Sequence, residues 1–334
     1  MYKSNIINEN FKIKKAILLL NKLPNKFCII VDNNNCFLGT LTDGDIRRGL
    51  LKNYTIEDKI SKFYNSSSFT LKKKCPYSEI EYLMNLKKLN FIPQINKLNK
   101  IVNIHVKNYA KEIKKLPNIM LIMAGGKGKR LRPLTKKIPK PLLPVNGRPI
   151  IEKIILLAKK QGISKFIVSI NYLGKMIKNY LGDGKKLGVK IEYLEEKKPL
   201  GTAGSLFLLK NIDTPFVVSN ADIISNIDYS SMIQYHKKFK SFVTIGSINM
   251  SDKNLYGTII FKNKKVLRIE EKKENRYFIN AGIYILDPSV KNFIKGNEYH
   301  DMTDLIEKLI SKKKNVNLFP IHEKWFDYGV KSSH

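Results

Sequence analysis

Residues 123–145 read MAGGKGKRLRPLTKKIPKPLLPV. Gly125, Gly126 and Gly128 free the backbone to curl tightly and to come close to another group. Arg130, Arg132, Lys136, Lys137 and Lys140 surround that curl with fixed positive charge. Exposed backbone N–H groups beside cations make an anion site, and the expected biological anion is phosphate. The run is not a Walker A loop, because no G-x-x-x-x-G-K-[ST] can be read in it. It is not a dinucleotide fingerprint either, since GGKGKR lacks the third glycine.

Working outward, an apolar strand expected at Ile119–Met123 runs straight into the glycine loop. Helices are expected at Pro149–Gln161, Met176–Leu181 and Thr202–Leu209. Strands are expected at Phe166–Ile170, Val189–Tyr193, Phe216–Asn220, Ser241–Ile248, Tyr256–Phe261, Val266–Glu270 and Ala281–Leu286. Strands alternating with helices predict an α/β fold, a Rossmann-like, doubly wound and largely parallel mixed sheet. Ligands of such sheets sit beyond the C-terminal strand ends, where the glycine loop and Ala221–Asp222 both fall. FVVSNAD is a buried strand ending in a carboxylate, which is costly to leave without a cation.

Ahead of this lies a different pattern over about residues 1–115. A helix at 10–22, a strand at Phe27–Val31, a DNNN turn, a strand at Phe37–Leu41 and a helix opening at Thr42 or Asp43 form one unit. Helix Glu79–Leu89, strand Phe91–Ile95, turn KLNK and strand Ile101–Val106 repeat the order weakly. KEIKKLPN at 111–118 reads as a charged link between this region and residues 118–334.

The chain has 334 residues, 61 Lys and Arg against 28 Asp and Glu, and a net charge of +33. The lysines are diffuse, accompanied by abundant Asn and Ile, with no aromatic–basic ladder. This reads as codon bias, with no nucleic acid partner. There is no run of about 18 apolar residues and no signal-peptide pattern, so a cytoplasmic chain with no membrane partner is expected. Cys28, Cys36 and Cys75 lack metal-ligand spacing and suit a reducing compartment. The five histidines look incidental; His236, in a lysine-rich stretch, reads as a solvated side chain.

The pattern G-G-x-G-x-R-L-x-P-L-T followed by P-K-P-L-L-P-V resembles the signature of sugar-1-phosphate nucleotidyltransferases, and the resemblance extends over residues 118–330. It implies that an NTP and a sugar 1-phosphate give an NDP-sugar and pyrophosphate. A phosphate monoester is already a nucleophile, so positioning and charge neutralisation suffice. On this resemblance Ala124, Gly125, Gly126 and Gly128 wrap the triphosphate, Arg130 holds the β- and γ-phosphates, and Lys140 lies near the α-phosphate. Mg²⁺ is implied, held by Asp222 and by Asp327. Asp222 stands in N-A-D where the family commonly has G-D. Asp327 stands in WFDYG, which resembles the W-x-D-x-G segment; the family's next helix has no counterpart before His334. EEKKPLGTAGSL resembles the base-binding segment, with Gly201 and Thr202 against the base and Glu196 either closing the site or solvated. Tyr256, Gly257, Glu271, Lys272 and Asn280 resemble the sugar-side positions.

FCIIVDNNNCFLGTLTDGDIRRGL resembles the first of a pair of CBS repeats, whose Thr42 and Asp45 match residues that contact an adenine nucleotide. FIPQINKLNKIVNIHVKNYA resembles the second and lacks that pair. The module implies either nucleotide sensing or subunit assembly as a homo-oligomer. A CBS pair ahead of this catalytic domain resembles guanylyltransferases of surface-glycan and nonulosonic (legionaminic) acid synthesis. GTP and glucosamine 1-phosphate are the expected substrates, with mannose 1-phosphate and thymidylyl or uridylyl relatives as alternatives. A regulatory protein with an inactive catalytic domain is the non-enzyme alternative.

Overall fold

Two strands, Met120–Met123 (MLIM) and Phe216–Asn220 (FVVSN), are apolar throughout or through their first three residues because the sheet they join is covered on both faces. In a computed structural model of the chain, residues 3–73, 75–107, 115–253, 256–271, 274–296 and 298–329 are described. The chain divides into two units, Met1–Glu112 and Ile113–His334.

In the first unit, β1 (Ile6–Asn8) precedes α1 (Ile13–Lys22), β2 (Phe27–Val31), β3 (Phe37–Thr42) and α2 (Asp43–Leu51). β1 lies parallel to β2, and β2 pairs with β3 as a hairpin. The order recurs: Leu71 makes a parallel bridge to Gln94, then come α3 (Tyr77–Leu86), β4 (Phe91–Ile95) and β5 (Ile101–Val106). The short strand opening each copy was not legible in the sequence, having only three apolar-bounded residues or a single bridge. Phe27 and Phe91, matching positions of the two hairpins, stack at 3.9 Å. Ile29, Phe37, Ile95 and Ile104 close the core between them. The second copy's expected tail and the first half of the 111–118 link fall at 108–114, outside the described residues.

The second unit is built on β6 (Met120–Met123). The loop after it leads to a short ribbon, β7 (Pro144–Val145) and β8 (Arg148–Pro149), and then to α4 (Ile150–Lys160). β9 (Lys165–Ile170), α5 (Gly174–Leu181), β10 (Lys190–Glu195) and β11 (Phe216–Asn220) follow. After them come β12 (Ile223–Ser225), α6 (Tyr229–Lys238), β13 (Val243–Lys253), β14 (Thr258–Lys262) and β15 (Lys265–Glu270). β16 (Glu274–Leu286), α7 (Met302–Ser311), β17 (Val316–Ile321) and β18 (Trp325–Asp327) complete the unit. The seven-stranded sheet has the order β10-β9-β6-β11-β16-β13-β17. All neighbours are parallel except β16, which is antiparallel to β11 and β13. The mixed sheet matches the expected class. Cores lie on both faces, one around Ile154, Phe166 and Ile283, the other around Leu206, Leu286 and Leu305.

Two expectations are corrected here. The segment after Thr202 is a short 3-10 turn at Gly204–Leu208 and not an α-helix. The carbonyl of His300 accepts from both Ala203 N and Gly204 N, at 2.8 and 3.2 Å, which ties the segment to a neighbouring loop. His236 is not solvated: it is 2% exposed, and its Nδ1 lies 2.9 Å from the Thr244 hydroxyl. α6 turns its inner face onto the sheet, so the lysines around His236 mark only the outer face.

Candidate active site

The connection β6–loop starts where chain direction in the sheet allows a crevice, beside β11. A cleft of about 540 Å³ opens there. The glycine loop forms one wall, the Pro199–Thr202 segment another, and the end of β11 the floor. Ala124, Gly125, Gly126, Gly128, Arg130, Lys140, Gly201, Thr202 and Asp222 all line it.

The loop is held by groups the sequence reading did not single out. Gly128 has φ +58°, and a Cβ there would sit 2.9 Å from Thr135 Cγ2. Thr135 is fully buried, and its hydroxyl donates to Gly128 O at 2.8 Å. Tyr172 OH donates to the carbonyls of Thr135 and Lys136, at 3.2 and 3.1 Å. The P-L-T tail of the motif thus closes the loop on itself, while Arg130 remains exposed on the cleft side.

Glu196 is buried, which removes the solvated alternative. Ser169 Oγ donates to its Oε1 at 2.6 Å, and Leu200 N donates to its Oε2 at 3.1 Å. A Cβ on Gly125 would stand 2.9 Å from Glu196 Oε1, so the loop lies directly on this carboxylate.

The two acids that stood far apart in sequence meet. β12 and β18 form a two-stranded antiparallel ribbon with Ile223 opposite Asp327, and Tyr328 N donates to Asp222 O at 2.9 Å. Trp325 Nε1 donates to Ala281 O at 2.9 Å and anchors the ribbon to β16. Lys140 Nζ forms an ion pair with Asp222 Oδ2; the two side chains are only 12% and 20% exposed. The position a Cβ of Gly329 would take lies 2.7 Å from Asp327 Oδ1, 2.8 Å from Lys140 Nζ and 3.0 Å from Asp222 Oδ2. Gly329 N donates to Asp327 Oδ1 at 2.6 Å. Gly329 was legible only as the end of WFDYG, with no sign that it sits among three charges.

The sugar-side residues divide. Asn280 lines a second, smaller cavity that adjoins the cleft, and its Oδ1 accepts from Gly282 N at 3.0 Å. Tyr256 and Gly257 precede β14 and Glu271 follows β15, so they sit at the base of that hairpin and line neither cavity. Tyr256 is 78% exposed. Lys272 lies outside the described residues. In the first unit, Thr42 and Asp45 form a capping box at the start of α2. Asp45 Oδ2 accepts from Thr42 N at 2.8 Å and from its hydroxyl at 2.6 Å.

The segment Tyr299–Asp301, absent from the sequence reading, also reaches the cleft. Asp301 precedes α7, and its Oδ1 accepts from Thr202 N and Thr202 Oγ1, each at 3.3 Å. Tyr299 OH donates to the same carboxylate, which holds the phenol above its usual range. The D-M-T-D-L-I-E sequence, an acid before an apolar helical pattern, was the available signal for α7.

Comparison with known proteins places this geometry. Residues 119–334 match the family described as nucleotidyl transferase. Over 187 residues the chain is 38% identical to "Probable mannose-1-phosphate guanylyltransferase 1" of Oryza sativa subsp. japonica, covering 52% of this chain and 51% of the relative. It is 30% identical over 230 residues to the UTP–glucose-1-phosphate uridylyltransferase of Synechocystis sp., covering 63% and 59%. The chain therefore spans between half and three fifths of the length of these relatives. HddC from Yersinia pseudotuberculosis shares the fold, with a TM-score of 0.52 at 23% identity over 65% of this chain and 96% of that one.

Proposed function

The chain belongs to the nucleotidyl transferase family, and from that premise we propose that it transfers a nucleotidyl group from an NTP to a sugar 1-phosphate. A phosphate oxygen of the sugar 1-phosphate forms a bond to the α-phosphorus of the NTP, the bond from that phosphorus to the bridging oxygen breaks, and pyrophosphate leaves. GTP and glucosamine 1-phosphate are the proposed pair, serving surface-glycan or nonulosonic acid synthesis in the cytoplasm. The observation that carries the reading is the meeting of Lys140, Asp222 and Asp327 around Gly329, at the edge of a cleft walled by the glycine loop.

In this reading the loop amides and Arg130 hold the β- and γ-phosphates and favour the departing pyrophosphate. Lys140 places its ammonium against the α-phosphate and the incoming phosphate. Preorganised charge of this kind needs no activated nucleophile. Asp222 and Asp327 suit Mg²⁺, since two carboxylates converge on a point shared with a cation, and Mg²⁺ is commonly held by one or two carboxylates plus substrate oxygens. When bound, the ion supplies positive charge to the polyphosphate. Gly201 and Thr202 face the base, and Glu196 backs the loop.

The names of the relatives favour a second reading, with mannose 1-phosphate or glucose 1-phosphate as acceptor. For the first unit, the proposal is a CBS pair that either binds an adenine nucleotide at Thr42 and Asp45 or assembles subunits into a homo-oligomer. The capping box engages both side chains within the helix start, so an adenine nucleotide at this point would have to compete with it. The test of the main reading is pyrophosphate release with each NTP, Mg²⁺ and a panel of sugar 1-phosphates. Release with one preferred pair is expected; no release with any pair would leave a regulatory protein with an inactive domain.

A further inference from the structure

The second cavity has a volume of about 330 Å³ and shares Thr202, Asn220 and Asp301 with the main cleft. Its composition is opposite in character. The main cleft is walled by Lys127, Lys129, Arg130 and Lys140. Among the described residues the second cavity is lined by no lysine or arginine, in a chain that holds 61 of them. Asn220, Asn280, Thr202 and Thr303 offer it neutral donors and acceptors, and Asp301 offers it the one charge. Such a lining rejects phosphate and suits a polyhydroxylated ring.

Asp301 behaves unusually for its place. It stands at the N-cap of α7, where an Asp side chain ordinarily accepts from the amides of the first turn. Here the side chain makes no such bond. Thr202 Oγ1 accepts from Met302 N at 2.8 Å instead, and the Asp301 carboxylate is turned onto Thr202 and Tyr299. All of its hydrogen-bond donors are neutral, and no Lys, Arg or His pairs with it among the described residues. The acid is only partly exposed. Its Oδ2 has one donor, the Tyr299 hydroxyl, which leaves acceptor capacity on the cavity side. A carboxylate held this way, facing a cavity that no described lysine or arginine lines, is stabilised most by a cation that arrives with the ligand.

We propose that Asp301 is a specificity-determining residue that selects a sugar 1-phosphate carrying a protonated amine on its ring. The sugar ring occupies the second cavity, its ammonium donates to Asp301, and its phosphate reaches the cations of the main cleft. The inference rests on the nucleotidyltransferase reading above. It goes beyond that reading by assigning the choice of sugar to one side chain.

The experiment measures kcat/KM for glucosamine 1-phosphate and glucose 1-phosphate, with the preferred NTP and Mg²⁺, on the full chain and on Asp301→Asn. The ratio of the two constants is the readout, because partial loss of folded enzyme lowers both equally. The unaltered protein should favour glucosamine 1-phosphate. Asp301→Asn keeps an acceptor for Thr202 and should cut that ratio by about 10- to 150-fold, the range of one charge-assisted hydrogen bond. A ratio unchanged by the substitution, or a preference for glucose 1-phosphate in the unaltered protein, would overturn the proposal while leaving nucleotidyl transfer intact. Failure of every NTP and sugar pair would overturn both readings, so the two failures are distinct.

Discussion

Single residues decide whether the cleft can work. Asp222 and Lys140 neutralise each other, and Arg130 is an exposed cation on the cleft wall. Asp222→Asn and Arg130→Ala should each lower kcat at least 100-fold, about 3 kcal/mol of transition-state stabilisation, with the melting temperature nearly unchanged. Near-normal turnover in either variant would remove its proposed role. Gly329 is the finer test. A methyl group there meets Asp327 Oδ1, Lys140 Nζ and Asp222 Oδ2, all within 3.0 Å, so Gly329→Ala must push the three charges apart. Activity should fall steeply while the fold survives, and circular dichroism beside a turnover assay separates the two. His236 carries a pH dependence. Burial pushes its imidazole from the ordinary 6.5 down to about 4. The unfolded chain therefore binds the proton first, and stability present above about 6.5 is lost as pH falls towards 4. The full loss is of the order of 3 kcal/mol. His236→Gln should flatten the fall in melting temperature between pH 7 and pH 5; an identical slope would mean that the ring is protonated in the fold.

At the scale of elements, the capping box of α2 joins Thr42 and Asp45. Thr42→Ala should destabilise the first unit by about 1 kcal/mol, seen in its thermal transition. Adenine nucleotide sensing would require AMP or ATP to raise that transition; a flat response supports the assembly reading. Legibility of elements followed how much of each was apolar. Met120–Met123, Lys165–Ile170 and Phe216–Asn220 are largely buried strands with cores of three or more consecutive apolar residues, and they stand within a residue of the expected bounds. β16 is longer than expected, Glu274–Leu286 against Ala281–Leu286, because its first half is held by register with β13 and not by its own apolar residues. The 3-10 turn at Gly204–Leu208 was misread as helix, since the carbonyl that captures its first amides belongs to His300, remote in sequence. The same remoteness hid Asp301 from the site.

Over the whole molecule, the charge of +33 is spread widely, and the compact state bears its own repulsion. Added salt screens exposed charges, so raising NaCl from 50 to about 300 mM should increase the melting temperature. A decrease would place the dominant electrostatics in attractive ion pairs. Among the described residues no helix is long and apolar enough to cross a membrane. The amino-acid sequence by itself determined the sheet class, the strand that delivers the glycine loop, and the residue types of the proposed phosphate site. Those features are written in local periodicity, turn residues and charge, which act between neighbours along the chain. Tertiary structure alone decided that Asp327 returns to Asp222, that Gly329 stands among three charges, and that Asp301 faces a cavity that no described lysine or arginine lines. Each of those depends on strand pairing or loop docking across roughly a hundred residues or more, where the partner is chosen by packing and hydrogen bonding in three dimensions and leaves no local trace.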